Sequence, residues 1–271
     1  MKNLLHNIQI WVILTLIVGI QSCSNDLQDV DDVLVSFTAT LPADTHTRSF
    51  GKAEQVNTLV VGVFNGEKEV YRRSFAVNNT SVDVQLTLVK SQTYSLVFWA
   101  YNDTQENYDI TDLKAIKMNV LPNPMTFAQA ESTDAFFAVK KDITIAGDCN
   151  YPAELIRPLA QINIGTAGTP KQTSVAITAS DTFHPFTNEV SGEEYFTWIF
   201  SETTTETFSS DGSEYNYLAM GYLFAPVTAT PVAVELTLTD GGNSQTVAFP
   251  LVEIAANQRS NIAGRFTKGN E

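Results

Sequence analysis

Val33-Leu34-Val35-Ser36-Phe37-Thr38-Ala39-Thr40-Leu41 places Val33, Val35, Phe37, Ala39 and Leu41 on one face and Leu34, Ser36, Thr38 and Thr40 on the other. Successive side chains of a strand point to opposite sides, so this period of two predicts a strand with one strongly apolar face. Pro42, which cannot donate to a ladder, stops it. The same alternation returns in Val82, Val84, Leu86 and Leu88. Between them, Val56 to Phe64 runs into Asn65-Gly66 and back through Glu69 to Phe75, a hairpin whose two turn residues both tolerate positive φ. Tyr94 to Tyr101 (YSLVFWAY) is apolar without alternation, the pattern of a central strand buried on both faces.

Further along, Asn102 to Ala130 loosens into a long connection with a helical turn expected near Asp112 to Met118. Phe136 to Lys140 and Ile143 to Ile145 then close a first half. Gly147-Asp148-Cys149-Asn150-Tyr151-Pro152 reads as a turn or linker. Leu155 to Ile164 begins a second half as an alternating strand, followed by strands over Val175–Ala179, Tyr195–Phe200 and Tyr217–Ala225. Val232 to Leu238 turns through Asp240-Gly241-Gly242-Asn243 into Gln245–Leu251, and Ser260 to Thr267 is the last strand. Short strands punctuated by turns, in two sets, predict an all-β chain of two β-sandwiches in tandem. The expected divisions are 33–152 for the first sandwich and 153–271 for the second.

Residues 1–22 have the form of a secretory signal: one basic residue, Lys2, an apolar stretch from Ile8 to Ile20, then Gln21-Ser22 before Cys23. The end of that stretch resembles a lipobox, so Cys23 is the expected lipidation site, with palmitate-type acyl chains. Each buried methylene adds about 0.8 kcal/mol of membrane affinity, which anchors a protein without a spanning helix. Residues 23–32, with Asp26, Asp29, Asp31 and Asp32, form an acidic tether.

Sixteen Lys and Arg stand against thirty Asp and Glu, a net charge of −14 that repels phosphate backbones, so no nucleic-acid partner is expected. With Cys23 acylated, Cys149 has no partner in the chain, which rules out a disulfide framework and a cysteine-based zinc site. Stability must come from core burial.

Two segments carry a family resemblance. Leu155-Ile156-Arg157-Pro158-Leu159-Ala160-Gln161-Ile162-Asn163-Ile164 resembles the strand that opens the C-terminal domain of fimbrillin-like proteins. Asn257-Gln258-Arg259-Ser260-Asn261-Ile262-Ala263-Gly264 resembles their near-terminal strand. Together they make the chain similar to the FimA-like and Mfa-like type V pilus (fimbria) lipoproteins of Bacteroidales. In the Bacteroidota, an acidic stretch after the lipidated cysteine also resembles a surface-export signal. The resemblance implies two transthyretin-like β-sandwiches on a lipoprotein at the cell outer membrane. It implies cleavage by an arginine-specific protease just past the first strand, and other pilus subunits as partners through strand donation. Mapped here, the releasable strand is Val33, Val35, Phe37, Ala39 and Leu41, and the maturation site is Arg48–Ser49. From the residues alone, Arg48 is equally one exposed arginine on a loop. The tail Phe266 to Glu271 is short and polar for a donor strand, which favours a tip, anchor or minor subunit over a stalk.

No cofactor and no metal is expected, and the chain is not expected to be an enzyme. His6, His46 and His184 are too few and too scattered for a triad or a metal cage. Glu193 and Glu194 are adjacent, so as strand residues they point apart and cannot flank one glycosidic bond. Phe196, Trp198 and Phe200 share one face of their strand and Tyr195, Thr197 and Ile199 the other. A non-polymerising glycan-binding lipoprotein, adhering to a host protein or glycan, is therefore the alternative to a pilus component.

Overall fold

The computed structural model describes residues 31–42, 53–169, 172–240 and 242–266. In chain order the first part holds β1 (Asp32–Thr40), β2 (Thr58–Asn65), β3 (Lys68–Ala76), β4 (Ser81–Val89) and β5 (Thr93–Tyr101). A connection with β6 (Tyr108–Asp109), β7 (Ile116–Met118) and α1 (Phe127–Glu131) leads to β8 (Phe136–Thr144) and β9 (Cys149–Glu154). The second part holds β10 (Leu159–Thr166), β11 (Gln172–Ala179), β12 (Thr182–His184), β13 (Glu189–Ser191) and β14 (Glu194–Phe200). It continues through β15 (Thr207–Ser210), β16 (Ser213–Phe224), β17 (Thr230–Asp240), β18 (Asn243–Ile254) and β19 (Arg259–Gly264).

These strands build two sandwiches in tandem. In the first, a sheet ordered β4-β1-β9 faces a sheet ordered β3-β2-β5-β8. In the second, β15-β16-β10-β19 faces β14-β11-β17-β18. A small sheet, β13-β12-β7-β6, joins the connection to the second part. Both sandwiches repeat one device. Their first strands, β1 and β10, lie inside a sheet between an antiparallel neighbour (β4 or β16) and a parallel one (β9 or β19).

The predicted hairpin forms as β2 and β3, with Gly66 at φ 57° in its turn. The unbroken apolar run of β5 also has its reason. Leu96, Phe98 and Ala100 face the first core, while Val97 and Trp99 face the second. Val60 and Phe64 of β2 and Phe137 of β8 join that second face, so the middle sheet is covered on both sides.

Three sequence expectations need correction. Asp112 to Met118 is not helical: Lys114 lies in a turn capped by Asp112, and Ile116 to Met118 pairs with β12. The helix is α1, begun by a capping box in which Thr126 Oγ1 accepts from Gln129 N and Gln129 Oε1 accepts from Thr126 N. Cys149 to Glu154 is no linker but a strand, parallel to β1. Finally, the strand expected from Leu155 starts at Leu159 and is buried on both faces. Its Gln161 donates to Asn163 Oδ1 at 2.9 Å, and Asn163 donates to Asn261 Oδ1 at 2.9 Å, which joins the two motif segments side by side. Among the described residues, no helix is long and apolar enough to cross a membrane.

Candidate functional site

Alternation sends Val35, Phe37, Ala39 and Leu41 of the first strand segment inward, the first three with no exposed surface at all; Val33, at the start, is half-buried. Leu34 on the opposite face is exposed. Each inward side chain lies between two walls. Val35 sits between Leu86 and Cys149, Phe37 between Val84 and Tyr151, and Ala39 between Val82 and Ala153. The Phe37 ring is 5.5 Å from Phe98 of the facing sheet and 5.5 Å from Tyr151 of the wall, tilted on the first and stacked on the second. Fully burying such a side chain contributes about 1.5–3 kcal/mol.

Backbone bonds fasten the strand at its ends. Lys90 N donates to Asp31 O at 2.9 Å, Leu41 N to Thr80 O at 2.8 Å, and Leu155 N to Thr40 O at 2.8 Å. β1 therefore fills a slot one strand wide. Its departure would strip ladder partners from β4 on one side and β9 on the other, and uncover the apolar floor between them. A segment with the same alternation could satisfy both. The slot offers recognition of an extended chain.

The sequence-predicted residues distribute as follows. Val33, Val35, Phe37, Ala39 and Leu41 all belong to the segment that fills this slot and pack in the first core. Cys23, Arg48 and Ser49, together with the signal, lie outside the described residues, as does most of the acidic tether. Pro42 ends the strand at one side of the undescribed 43–52 segment and Ala53 resumes at the other. Cys149, a free thiol, is half-buried on the slot wall. His184, at the end of β12, links the turn before β7 to β13, with Nδ1 3.3 Å from Lys114 O and Nε2 2.7 Å from Ser191 Oγ. Trp99 and Trp198 are buried, and on the outer face of β14 Tyr195, 60% exposed, is the aromatic residue displayed. Among the described residues, no three of His, Cys, Asp and Glu converge as a metal site.

Sequence reasoning missed two features. One is β9 as a slot wall, for which only the apolar Tyr151 and Ala153 gave any sign. The other is a buried ion pair just beyond it. Arg157 Nε donates to Asp134 Oδ1 at 2.7 Å and Nη2 to Oδ2 at 2.8 Å, with the guanidinium 4.9 Å over Phe136 and 5.9 Å over Tyr222. Burial raises the Asp134 pKa, and the Arg157 charge and its hydrogen bonds offset this only in part. Burial works against the Arg157 charge, yet the Asp134 carboxylate outweighs it and the guanidinium pKa is raised. Tyr222, donating to Glu131 Oε2 at 3.2 Å, is pushed well above the usual phenol range by burial first and the Asp134 charge second. The arginine was in view as a motif residue, but its acid partner, 23 residues earlier, carried no periodic signal.

Residues 27–270 match the model of a family of unknown function, DUF6562. No curated protein sequence matches. Solved structures do: a candidate adhesin from Bacteroides ovatus (TM-score 0.53, 11% identity, covering 92% of this chain and 93% of that one). A fimbrial assembly protein from Parabacteroides distasonis has TM-score 0.52 and 16% identity, covering 88% of this chain and 93% of that one. A candidate cell adhesion protein from Bacteroides eggerthii has TM-score 0.51 and 14% identity, covering 86% and 87%. At these identities the shared property is the fold alone.

Proposed function

The chain belongs to DUF6562, a family of unknown function, and on that premise we propose that it is a structural, adhesin-type subunit of the cell surface, related to type V pili and assembled by exchange of β1. The observation that carries this reading is the place of β1. It is the middle strand of a three-stranded sheet, so its loss opens a groove rather than trimming an edge. The groove has an apolar floor and a backbone ladder on either side, which is what strand addition requires. The fold shared with a fimbrial assembly protein and two candidate adhesins supports the same reading.

In this proposal Cys23 carries the lipid anchor at the outer membrane, and residues 23–32 space the first sandwich from it. Cleavage at Arg48–Ser49 frees β1 together with the anchor, and a neighbouring pilus subunit supplies the replacement. The proposed division between the sandwiches lies between β9 and β10, a little past the 152–153 expected from the sequence, because Ala153 and Leu155 pack in the first core.

Limited digestion of the mature protein with an arginine-specific protease, followed by mass spectrometry and size-exclusion chromatography, tests this. The expected result is one early cut after Arg48, followed by loss of the 23–48 fragment and appearance of oligomers. If Arg48 resists, or if the cut protein keeps its fragment and stays monomeric with a strand donor present, exchange fails. An anchored, non-polymerising binding module would then be the better account.

A further inference from the structure

We propose that Arg157, through its buried pairing with Asp134, is the positioning residue that holds β9 in place as the far wall of the slot, so that the groove stays open when β1 is absent. The inference rests on exchange of β1. In the sheet order β4-β1-β9, the only strand that β9 pairs with among the described residues is β1. An emptied slot therefore leaves β9 without a ladder. It also leaves a competitor for the incoming strand, namely β9 itself. β4 runs antiparallel to β1 and β9 parallel to it, so β4 and β9 are antiparallel to each other. With β1 gone they face across two strand spacings, about 9.5 Å, and a shift of one spacing, about 4.8 Å, would pair them and close the groove.

What opposes that shift is the chain just past β9, tied to the other sheet independently of β1. Leu155 is buried in the first core. Ile156 and Phe137 exchange both backbone bonds, N to O at 2.9 Å each way. Arg157 then closes its two-pronged bond on Asp134, with side chains 11% and 1% exposed, and lies over the Phe136 ring. Phe136 and Phe137 belong to β8, which is held by β5 in the opposite sheet. A bidentate, desolvated pair fixes both distance and orientation, which a single hydrogen bond does not. The last bond from this segment to β1, Leu155 N to Thr40 O, is the one that exchange breaks; the Arg157 tie survives it.

The test compares the full chain with the Arg157→Met/Asp134→Leu double variant. The variant replaces a buried ion pair by apolar groups of similar volume, a change that cores often accept. Arg157→Lys, which keeps the charge and loses the fork, is the second variant in case the first does not fold. In each, both native cysteines are replaced by serine and Val84→Cys and Tyr151→Cys are added. These two positions flank Phe37, too far apart for a disulfide while the slot is open, since the bond needs Cα atoms within about 7 Å. The chain is cut at Arg48, or at a recognition site placed between Pro42 and Ala53. β1 is displaced, and a labelled peptide of residues 31–42 is offered back.

With the native pair, the expected result is peptide rebinding and no disulfide between the two introduced thiols. With the double variant, rebinding should be at least ten-fold slower and the disulfide should form, while both uncut proteins melt alike. Arg157→Lys should fall between. Equal rebinding with no disulfide in any form would overturn the role of Arg157 and leave exchange standing. If β1 cannot be displaced or the peptide never rebinds, exchange itself fails and this inference falls with it.

Discussion

Phe37 contacts aromatic rings on both the facing sheet and the slot wall, so it reports on the whole first core from a single position. Phe37→Ala should cost about 3–5 kcal/mol, because a fully buried ring leaves a cavity that two rigid sheets cannot close. Urea denaturation with an unchanged slope would check it. Tyr222 makes a different prediction, on pH. Its folded pKa is raised, so in the folded protein it stays protonated at a pH where the unfolded chain loses the proton. Its contribution is complete below the unfolded value of about 10 and is lost as pH rises beyond it, at about 1.4 kcal/mol per pH unit. Tyr108, also pushed up by burial and donating to Thr133 O, behaves in the same way. Tyr222→Phe should therefore make the fall in denaturation midpoint between about pH 10 and 11 shallower by one such share. An unchanged slope would mean that the phenol is not held neutral.

At the scale of the element, β1 and β9 show how position in a sheet governs tolerance. Pro152 is accepted in β9, an edge strand, where a missing donor need not break a ladder. Ser36, opposite Gln85 on one side and Asn150 on the other, has no such freedom. Ser36→Pro should cost at least about 1–3 kcal/mol for the acceptor left unpaired, whereas Pro152→Ala should leave thermal stability almost unchanged. Melting curves of the two variants would check the contrast, and similar losses in both would contradict it. The same pair explains what the sequence could convey. The segment from Val33 to Leu41, which holds β1, has five apolar positions in strict alternation and was legible on its own. So were β4 and the Asn65-Gly66 hairpin, since their signals are local. β9 is six residues with a cysteine, an asparagine and a proline, and it becomes a strand only because β1, far earlier in the chain, lies beside it. Its non-local pairing leaves no periodic trace. α1, five residues long, is too short for a helical period, and only Thr126 and Gln129 announced it. The Arg157–Asp134 pair was out of reach for the same reason as β9.

Across the whole molecule, the sheet of β3, β2, β5 and β8 joins the two sandwiches, because each of its faces belongs to a different core. Trp99 is the centre of the join, fully buried, with Tyr108 at 5.3 Å and Phe183 and Phe224 each at 6.3 Å. Phe137 packs on Phe183 at 4.6 Å and Phe183 on Phe224 at 5.7 Å, so aromatic rings from β5, β6, β8, β12 and β16 form one cluster. Domains meeting through polar surfaces unfold separately, but here separation would bare Val60, Phe64, Val97, Trp99 and Phe137 to water. The described part of the chain should thus unfold as one cooperative unit, with calorimetric and van't Hoff enthalpies equal. Trp99→Ala, at a cost of about 3–5 kcal/mol, should weaken the join more than either sandwich, and a second transition should emerge in the calorimetric trace. Two transitions already present in the unaltered protein would mean that the join is too weak to couple the halves. A strand exchanged in the first sandwich would then act on that sandwich alone, whereas a single transition means that filling or emptying the β1 slot shifts the stability of the entire subunit.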